Sequence, residues 1–257
     1  MADDGGFGRD ASVYDLIGRT YTATRAPDRR IHAQILDALA DARSVLNVGA
    51  GAGSYEPTDR DVVAIEPSAR MIAQRGAGQA PVVRAVAEAL PFRDRSFDAV
   101  MAILTLHHWR DQARGLGELR RVSRGRIVIL TVDAAINDDS FWLTRDYLPD
   151  IKSLHHGRFW PPAQIITALG GGRVAPVPVP ADCRDGFLCA FWRRPEAYLD
   201  PAVRDGISCF PLLPAPVVDA AMSRLAADLE SGAWRARNGD LVARTAMDFG
   251  YRLIVAG

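Results

Sequence analysis

Three glycines at alternate positions close an aliphatic run: Ser44-Val45-Leu46-Asn47-Val48 leads into Gly49, Gly51 and Gly53. A second run, Val62-Val63-Ala64-Ile65, ends on Glu66. Glycine lets a backbone approach a ligand where a Cβ would collide, and a carboxylate at the next strand tip can accept both hydroxyls of a ribose. Together they predict a ribose-bearing ligand. A dinucleotide fingerprint wants its third glycine at position 54, which is Ser54, and no lysine follows in the G-K-[ST] arrangement of a phosphate loop. A nicotinamide-dependent oxidoreductase, which shares the strand–turn–acid logic, is disfavoured on that count. Proton transfer has its own candidates. His155, His156 and Asp182 lie in an aromatic-rich stretch, and each could act as a general base. His155 and His156 are not a metal pair, because neighbouring residues on a helix or strand point apart, and no metal site is expected.

The G-x-G-x-G turn with an acid on the next strand resembles motif I of the class I S-adenosylmethionine-dependent methyltransferases. Three further segments follow in the order and spacing of the small-molecule branch that includes quinone and sterol C-methyltransferases. They are Ala87-Glu88-Ala89-Leu90-Pro91-Phe92, Ser96-Phe97-Asp98-Ala99-Val100 and Leu106-His107-His108-Trp109. The resemblance covers residues 40 to 135. It implies S-adenosyl-L-methionine as cofactor, with Gly49, Gly51 and Gly53 against its methionine part and Glu66 on the ribose. Ile65 and Met71 would flank adenine, near Ala87 and Glu88. Leu104 and the segment to Trp109 would face the methyl group, with His107 nearer the cofactor than His108. His107, His108 and His155 are the catalytic candidates. The family also folds an N-terminal segment over the cofactor, so Tyr21 would lid the methyl group and Arg25 would pair with the methionine carboxylate.

Two positions depart from the family. Asn47 stands where an acid usually helps hold the cofactor ammonium, and Val86 stands where an acid usually precedes Ala87. Both departures keep a catalytically silent cofactor-binding module in view. The resemblance otherwise implies methyl transfer to oxygen, nitrogen or carbon of a small-molecule acceptor, with secondary metabolism as one setting. Because a sulfonium is a good leaving group, such catalysis rests on holding the acceptor in line in a water-poor pocket. Thiol methylation is disfavoured, since Cys183 and Cys189 have core-like neighbours.

Composition sets the outer limits. The chain has 257 residues, 48% of them hydrophobic, which suits one large domain or a domain with a cap. Its 31 basic residues balance 31 acidic ones, so no field favours a polyanion and nucleic acid is not expected as a partner. Lys152 is the only lysine, an arginine bias that suits a high-GC, bacterial genome. Three cysteines without C-x-x-C spacing indicate neither disulfides nor zinc. The acidic N-terminus is unlike a signal peptide, and no apolar run approaches the ~20 residues of a membrane span. A cytoplasmic protein without membrane partner is expected, and a homodimer is compatible with the sequence.

The elements that must position these residues alternate between strand and helix. Strands are predicted at 44–48, 62–65, 82–85, 97–104 and 127–132. Helical spacing covers 14–40 with a break at Pro27-Asp28, then 68–74 and 110–123. Fully apolar strands alternating with helices predict a parallel sheet covered on both faces. The fold class is therefore α/β, a Rossmann-like seven-stranded methyltransferase sheet with helices on both faces and a C-terminal cap insertion. Residues 1–40 read as an N-terminal lid segment, 41–135 as the cofactor-binding core, and 136–257 as the cap plus the final strands. Two runs, 174–179 and 187–192, compete as the partner of the last strand, 251–255. The aromatic-rich stretch from Phe141 to Trp192 suggests a pocket for a flat or apolar substrate, or packing of the cap itself.

Overall fold

Strands without polar alternation need cover on both faces, and five of them find it side by side. The structure, a computed structural model, describes residues 25–257. Tyr14 and Tyr21 lie outside the described residues. The parallel strands are β1 (Ser44–Val48), β2 (Asp61–Ile65), β3 (Val82–Val83), β4 (Phe97–Ile103) and β5 (Ser123–Val132). They are followed by β6 (Arg173–Pro176), β7 (Val179–Pro180), β8 (Ala246–Met247) and β9 (Tyr251–Ala256). The main sheet has seven strands in the order β3-β2-β1-β4-β5-β9-β6, with β9 antiparallel to both neighbours. β7 and β8 form a separate antiparallel ribbon.

Alternate residues of each central strand feed two cores. Val45, Ala99 and Met101 pack on one side, where α1 (Arg29–Leu39) presents Ile31, Ile35 and Leu39. Leu46, Val100 and Ala102 pack on the other. That side is covered by the Leu116–Leu119–Val122 stripe of a later helix and by Ile165. Side-chain caps start the helices where the sequence places short polar residues. Asp28 accepts from Arg30 N ahead of α1, and Ser68 accepts from Met71 N ahead of α2 (Ala69–Ala73). Asp111 accepts from Arg114 N ahead of α3 (Gln112–Val122).

The chain beyond β5 supplies α4 (Ala134–Ser140), a π-turn at Leu143–Tyr147, α5 (Asp150–His155) and α6 (Pro162–Leu169). Between β6 and β9 it supplies α7 (Pro201–Asp205), α8 (Ala215–Glu230) and α9 (Ala233–Asn238). Residues 177–250 thus interrupt the antiparallel pair that closes the sheet. The two competing runs resolve in favour of the first, trimmed to 173–176, since Pro176 is tolerated on an edge strand and Pro178 ends the ladder. Residues 187–192 form turns, not a strand. Their apolar run reflects burial: Trp192 is fully buried, and its Nε1 donates to Val179 O at 3.1 Å. β3 is two residues long, shorter than predicted. No helix among the described residues is long and apolar enough to cross a membrane.

Candidate active site

The three glycines of the turn after β1 all take positive φ, and at two of them a Cβ would also overlap a neighbouring side chain. Gly49 has φ +71°, and a Cβ there would overlap the Thr105 side chain. Gly53 has φ +93°, and a Cβ would overlap the Gln79 amide, which donates to Ala52 O. Gly51, at φ +54°, donates its N–H to Glu66 Oε2 at 2.8 Å. Ser68 N donates to Glu66 Oε1 at 2.9 Å, so the carboxylate at the tip of β2 is gripped by backbone on both oxygens while buried at 6% exposure.

Around this turn opens a cleft of about 350 Å³. Arg25, Asn47, Gly49, Gly51, Glu66, Ala87, Glu88, Leu104 and His108 line it, together with Ile65 and Met71. Gly53 and His107 do not line it. Bare backbone, a buried carboxylate and an apolar Ile65–Met71 wall fit a nucleoside carrying a polar tail. Glu88 lines the cleft, and its Oε1 accepts from Arg110 N at 2.7 Å and Asp111 N at 3.2 Å, tying down the loop before α3. Leu104, a non-glycine residue at φ +52°, turns the chain at the end of β4 against the cleft. A conformation this sparse persists only where surrounding structure enforces it.

Two polar clusters escaped the sequence reading. Asn47 is 1% exposed, and its Nδ2 donates to Glu56 Oε1 at 3.1 Å. Glu56 in turn pairs with Arg75 at 2.7 Å and accepts from Ala80 N, while Arg75 Nη1 donates to Gly51 O at 3.3 Å. A carboxylate only accepts, so Glu56 fixes which end of the Asn47 amide faces it and turns Oδ1 away. The second cluster joins distant segments. Arg25 pairs with both carboxylate oxygens of Asp185, a residue with no exposed surface, and Tyr55 Oη donates to Asp185 Oδ2 at 2.8 Å. The insertion is thereby bolted to the glycine turn. In this structure the Arg25 guanidinium answers Asp185 while also lining the cleft.

A second cavity, of about 90 Å³, adjoins the first and shares Arg25, Leu104 and His108 with it. Its walls include Val132, Phe159, Phe187, Ile207 and Tyr251, with His107, His155 and Arg158 as polar elements. The His107 ring stacks on Phe159 with centroids 4.4 Å apart, and His155 meets Phe159 edge-on at 5.1 Å. His155 Nδ1 lies 2.7 Å from Asp138 Oδ1. Burial pushes His155 below the usual histidine range, against the opposing pull of Asp138. His107 falls well below it, first through burial and then through the positive charges of its neighbours. Both rings are neutral near pH 7.

Several expectations are corrected here. His108, not His107, borders the cofactor-side cleft. His156 is exposed and Asp182 is an exposed partner of Arg30, and neither lines either of these two cavities, which sets both apart from His155 as bases for an acceptor held there. Phe141, Trp142, Tyr147 and Trp192 pack in the core, while Phe159 and Phe187 of the aromatic stretch line the cavity. Cys183 and Cys189 are buried; Cys209 borders the cavity, with burial pushing its thiol up to about 12. Among the described residues no cluster of acidic, histidine or cysteine side chains is arranged to hold a metal ion.

Known proteins resemble both the sequence and the fold. The methyltransferase domain family matches residues 46–129. A candidate methyltransferase from an antibiotic biosynthesis pathway of Anabaena variabilis superposes with a TM-score of 0.85 at 34% identity. That alignment covers 91% of this chain and 99% of the Anabaena chain. A tRNA (carboxymethyluridine(34)-5-O)-methyltransferase of Arabidopsis thaliana is 30% identical over 52% of this chain, which spans only 34% of that protein's length. A ubiquinone/menaquinone biosynthesis C-methyltransferase of Geobacter sp. is 29% identical over 64% of this chain and 72% of its own.

Proposed function

We propose, for a chain that belongs to the class I S-adenosyl-L-methionine-dependent methyltransferases, methyl transfer from that cofactor to a small molecule held in the second cavity. The observation that carries this reading is the shared wall. Arg25, Leu104 and His108 border both spaces, so a group seated in one can meet a group seated in the other. The bound cofactor supplies an electrophilic methyl on a sulfonium. Glu66 takes the ribose hydroxyls, the Gly49–Gly51 backbone lies along the methionine portion, and Ile65 and Met71 sandwich the adenine near Ala87 and Glu88. Asn47 Oδ1 and Arg25 address the amino-acid end. Leu104 holds the junction, and the apolar walls around Phe159 exclude water, so that positioning supplies most of the rate enhancement.

His107, His108 and His155 are the groups placed to act on the acceptor, His155 as base. Residues 41–135 make the cofactor-binding unit, and segments from 136 onward, with Arg25, wall the acceptor. A small acceptor rather than RNA is supported by the balanced charge, 31 basic against 31 acidic residues, and by the narrowness of the second cavity. The pathway named for the Anabaena relative supports a setting in secondary metabolism. Incubation of the purified protein with methyl-labelled cofactor, a small-molecule extract and bulk tRNA tests the reading. Label is expected in the small-molecule fraction; label in tRNA, or in neither, contradicts it.

A further inference from the structure

Resting on that methyltransferase reading, we propose that the acceptor is a hydroxyl compound of phenol or enol type, deprotonated at His155 Nε2, with Asp138 the positioning residue and Asn137 a specificity-determining one. Asn137 and Asp138 are consecutive on α4, yet they serve different partners. Asn137 is 1% exposed and lines the second cavity. Its Nδ2 donates to Phe249 O at 2.9 Å and to Cys189 Sγ at 3.1 Å, which fixes the amide orientation. Its Oδ1 is buried without a hydrogen-bond partner. A buried amide oxygen left unpaired is unfavourable, and a ligand that brings a donor relieves it.

Asp138 Oδ1 lies 2.7 Å from Nδ1 of His155, which is 7% exposed and borders the same cavity. Because a carboxylate accepts and does not donate, the proton sits on Nδ1 and the lone pair on Nε2. Two residues of the cavity lining therefore each hold a group that wants a hydrogen-bond donor. The other charged or titratable groups lining it are Arg25, His107, His108, Arg158, Cys209 and Tyr251. The arginines favour an oxygen that gains negative charge, burial raises the Cys209 thiol, and burial lowers His107 and His155 below the usual histidine range.

A neutral amine attacks with its own lone pair and needs no base beforehand, whereas a hydroxyl becomes a strong nucleophile only as its proton leaves. The step balances within the known reactants. The O–H proton passes to His155 Nε2, the oxygen pair forms the new bond to the methyl carbon, and the S–CH3 bond breaks with its electron pair kept on sulfur. The products are the methyl ether, S-adenosylhomocysteine and a protonated His155, which returns its proton to water.

Calorimetry with S-adenosylhomocysteine comes first, and its failure overturns the methyltransferase reading and this inference with it. Histidine nitrogen NMR of the full chain with S-adenosylhomocysteine bound then examines the dyad. The Nδ1–H form of His155 is expected, lost to a mixture in Asp138→Ala and restored in Asp138→Asn. Phenol is expected to shift the Nε2 resonance and to bind about tenfold more tightly than anisole, a gap that narrows in Asn137→Ala. Should either variant fail to fold, the wild-type tautomer and the phenol–anisole pair decide alone. His155 protonated at Nε2, or phenol binding no better than anisole while S-adenosylhomocysteine binds, overturns the hydroxyl assignment and leaves the methyltransferase reading standing.

Discussion

Asn47 occupies the position where the family carries an acid, and its neighbour accounts for the exchange. Glu56 already places a buried carboxylate 3.1 Å from the Asn47 amide, with Arg75 as its counter-ion. Restoring the family residue through Asn47→Asp would set two carboxylates against one guanidinium, and like charges at that distance cannot both ionise comfortably. Asn47→Asp is therefore expected to lower stability and weaken cofactor binding, each by ~1–3 kcal/mol, while Asn47→Asp with Glu56→Gln recovers both. Thermal melts and calorimetric titration check it. Tighter binding by the single variant would contradict the account. The departure at 47 was legible in the sequence; its resolution was not, because Glu56 meets Asn47 only after the glycine turn folds the chain back. Asn137 and Asp138 carry no sequence signal for a similar reason, since nothing in local spacing marks a helix residue as lining a cavity, or as partnering a residue that does, when the cavity is built from segments far apart in the chain.

At the level of elements, the glycine turn shows how little a motif says about which glycine does what. Gly49 is demanded by the rigid Thr105 side chain, Gly53 meets the movable end of Gln79, and Gly51 has only Met71 Cε at 3.3 Å from the place of a Cβ. Gly49→Ala combines left-handed backbone strain with a clash against the Thr105 side chain and is expected to cost ~3 kcal/mol or more; Gly51→Ala carries mainly the strain, ~1–2 kcal/mol. Denaturant unfolding of the two variants gives the order directly, and equal losses would show that the Thr105 contact does not matter. Strands β1, β2, β4 and β5 were legible because uninterrupted aliphatic runs bounded by turns have few other uses. Residues 187–192 carried the same signal and folded as turns, since an apolar run reports burial and not backbone shape. The proline-studded stretch from 176 to 180 ends β6 early for a reason that sequence does carry, namely the missing donors.

Across the whole molecule, the insertion at 177–250 both completes a core and encloses histidines. Burial lowers His32, His107 and His155 below the value of about 6.5 that an unfolded histidine shows. The folded state thus binds fewer protons than the unfolded one between those lowered values and pH ~6.5, so stability rises with pH in that window. Their contribution is fully present above pH ~6.5 and is lost as the pH falls through the folded values, by at most about 1.4 kcal/mol per pH unit for each histidine. Asp28, where hydrogen bonds from Arg30 and backbone overcome the upward push of burial, and Asp98, held low by backbone and Arg124 hydrogen bonds, add further loss only below about pH 4. Melting temperature is expected to be flat from pH 8 to about 6.5 and to fall below it, with a shallower fall in His107→Phe. A melting temperature that rises on acidification to pH 5 would show that these rings are charged in the fold.

The cofactor site is where these scales meet, and Glu66 is its anchor. Calorimetric titration with S-adenosyl-L-methionine, with NADH in parallel, is the most direct measurement. Micromolar binding of the first and none of the second is expected, with Glu66→Ala weakening the first by ~1.5–3 kcal/mol, the range for hydrogen bonds to a charged group. A folded protein that ignores S-adenosyl-L-methionine, or a Glu66→Ala variant that binds it as tightly as the wild type, would contradict the account at its centre.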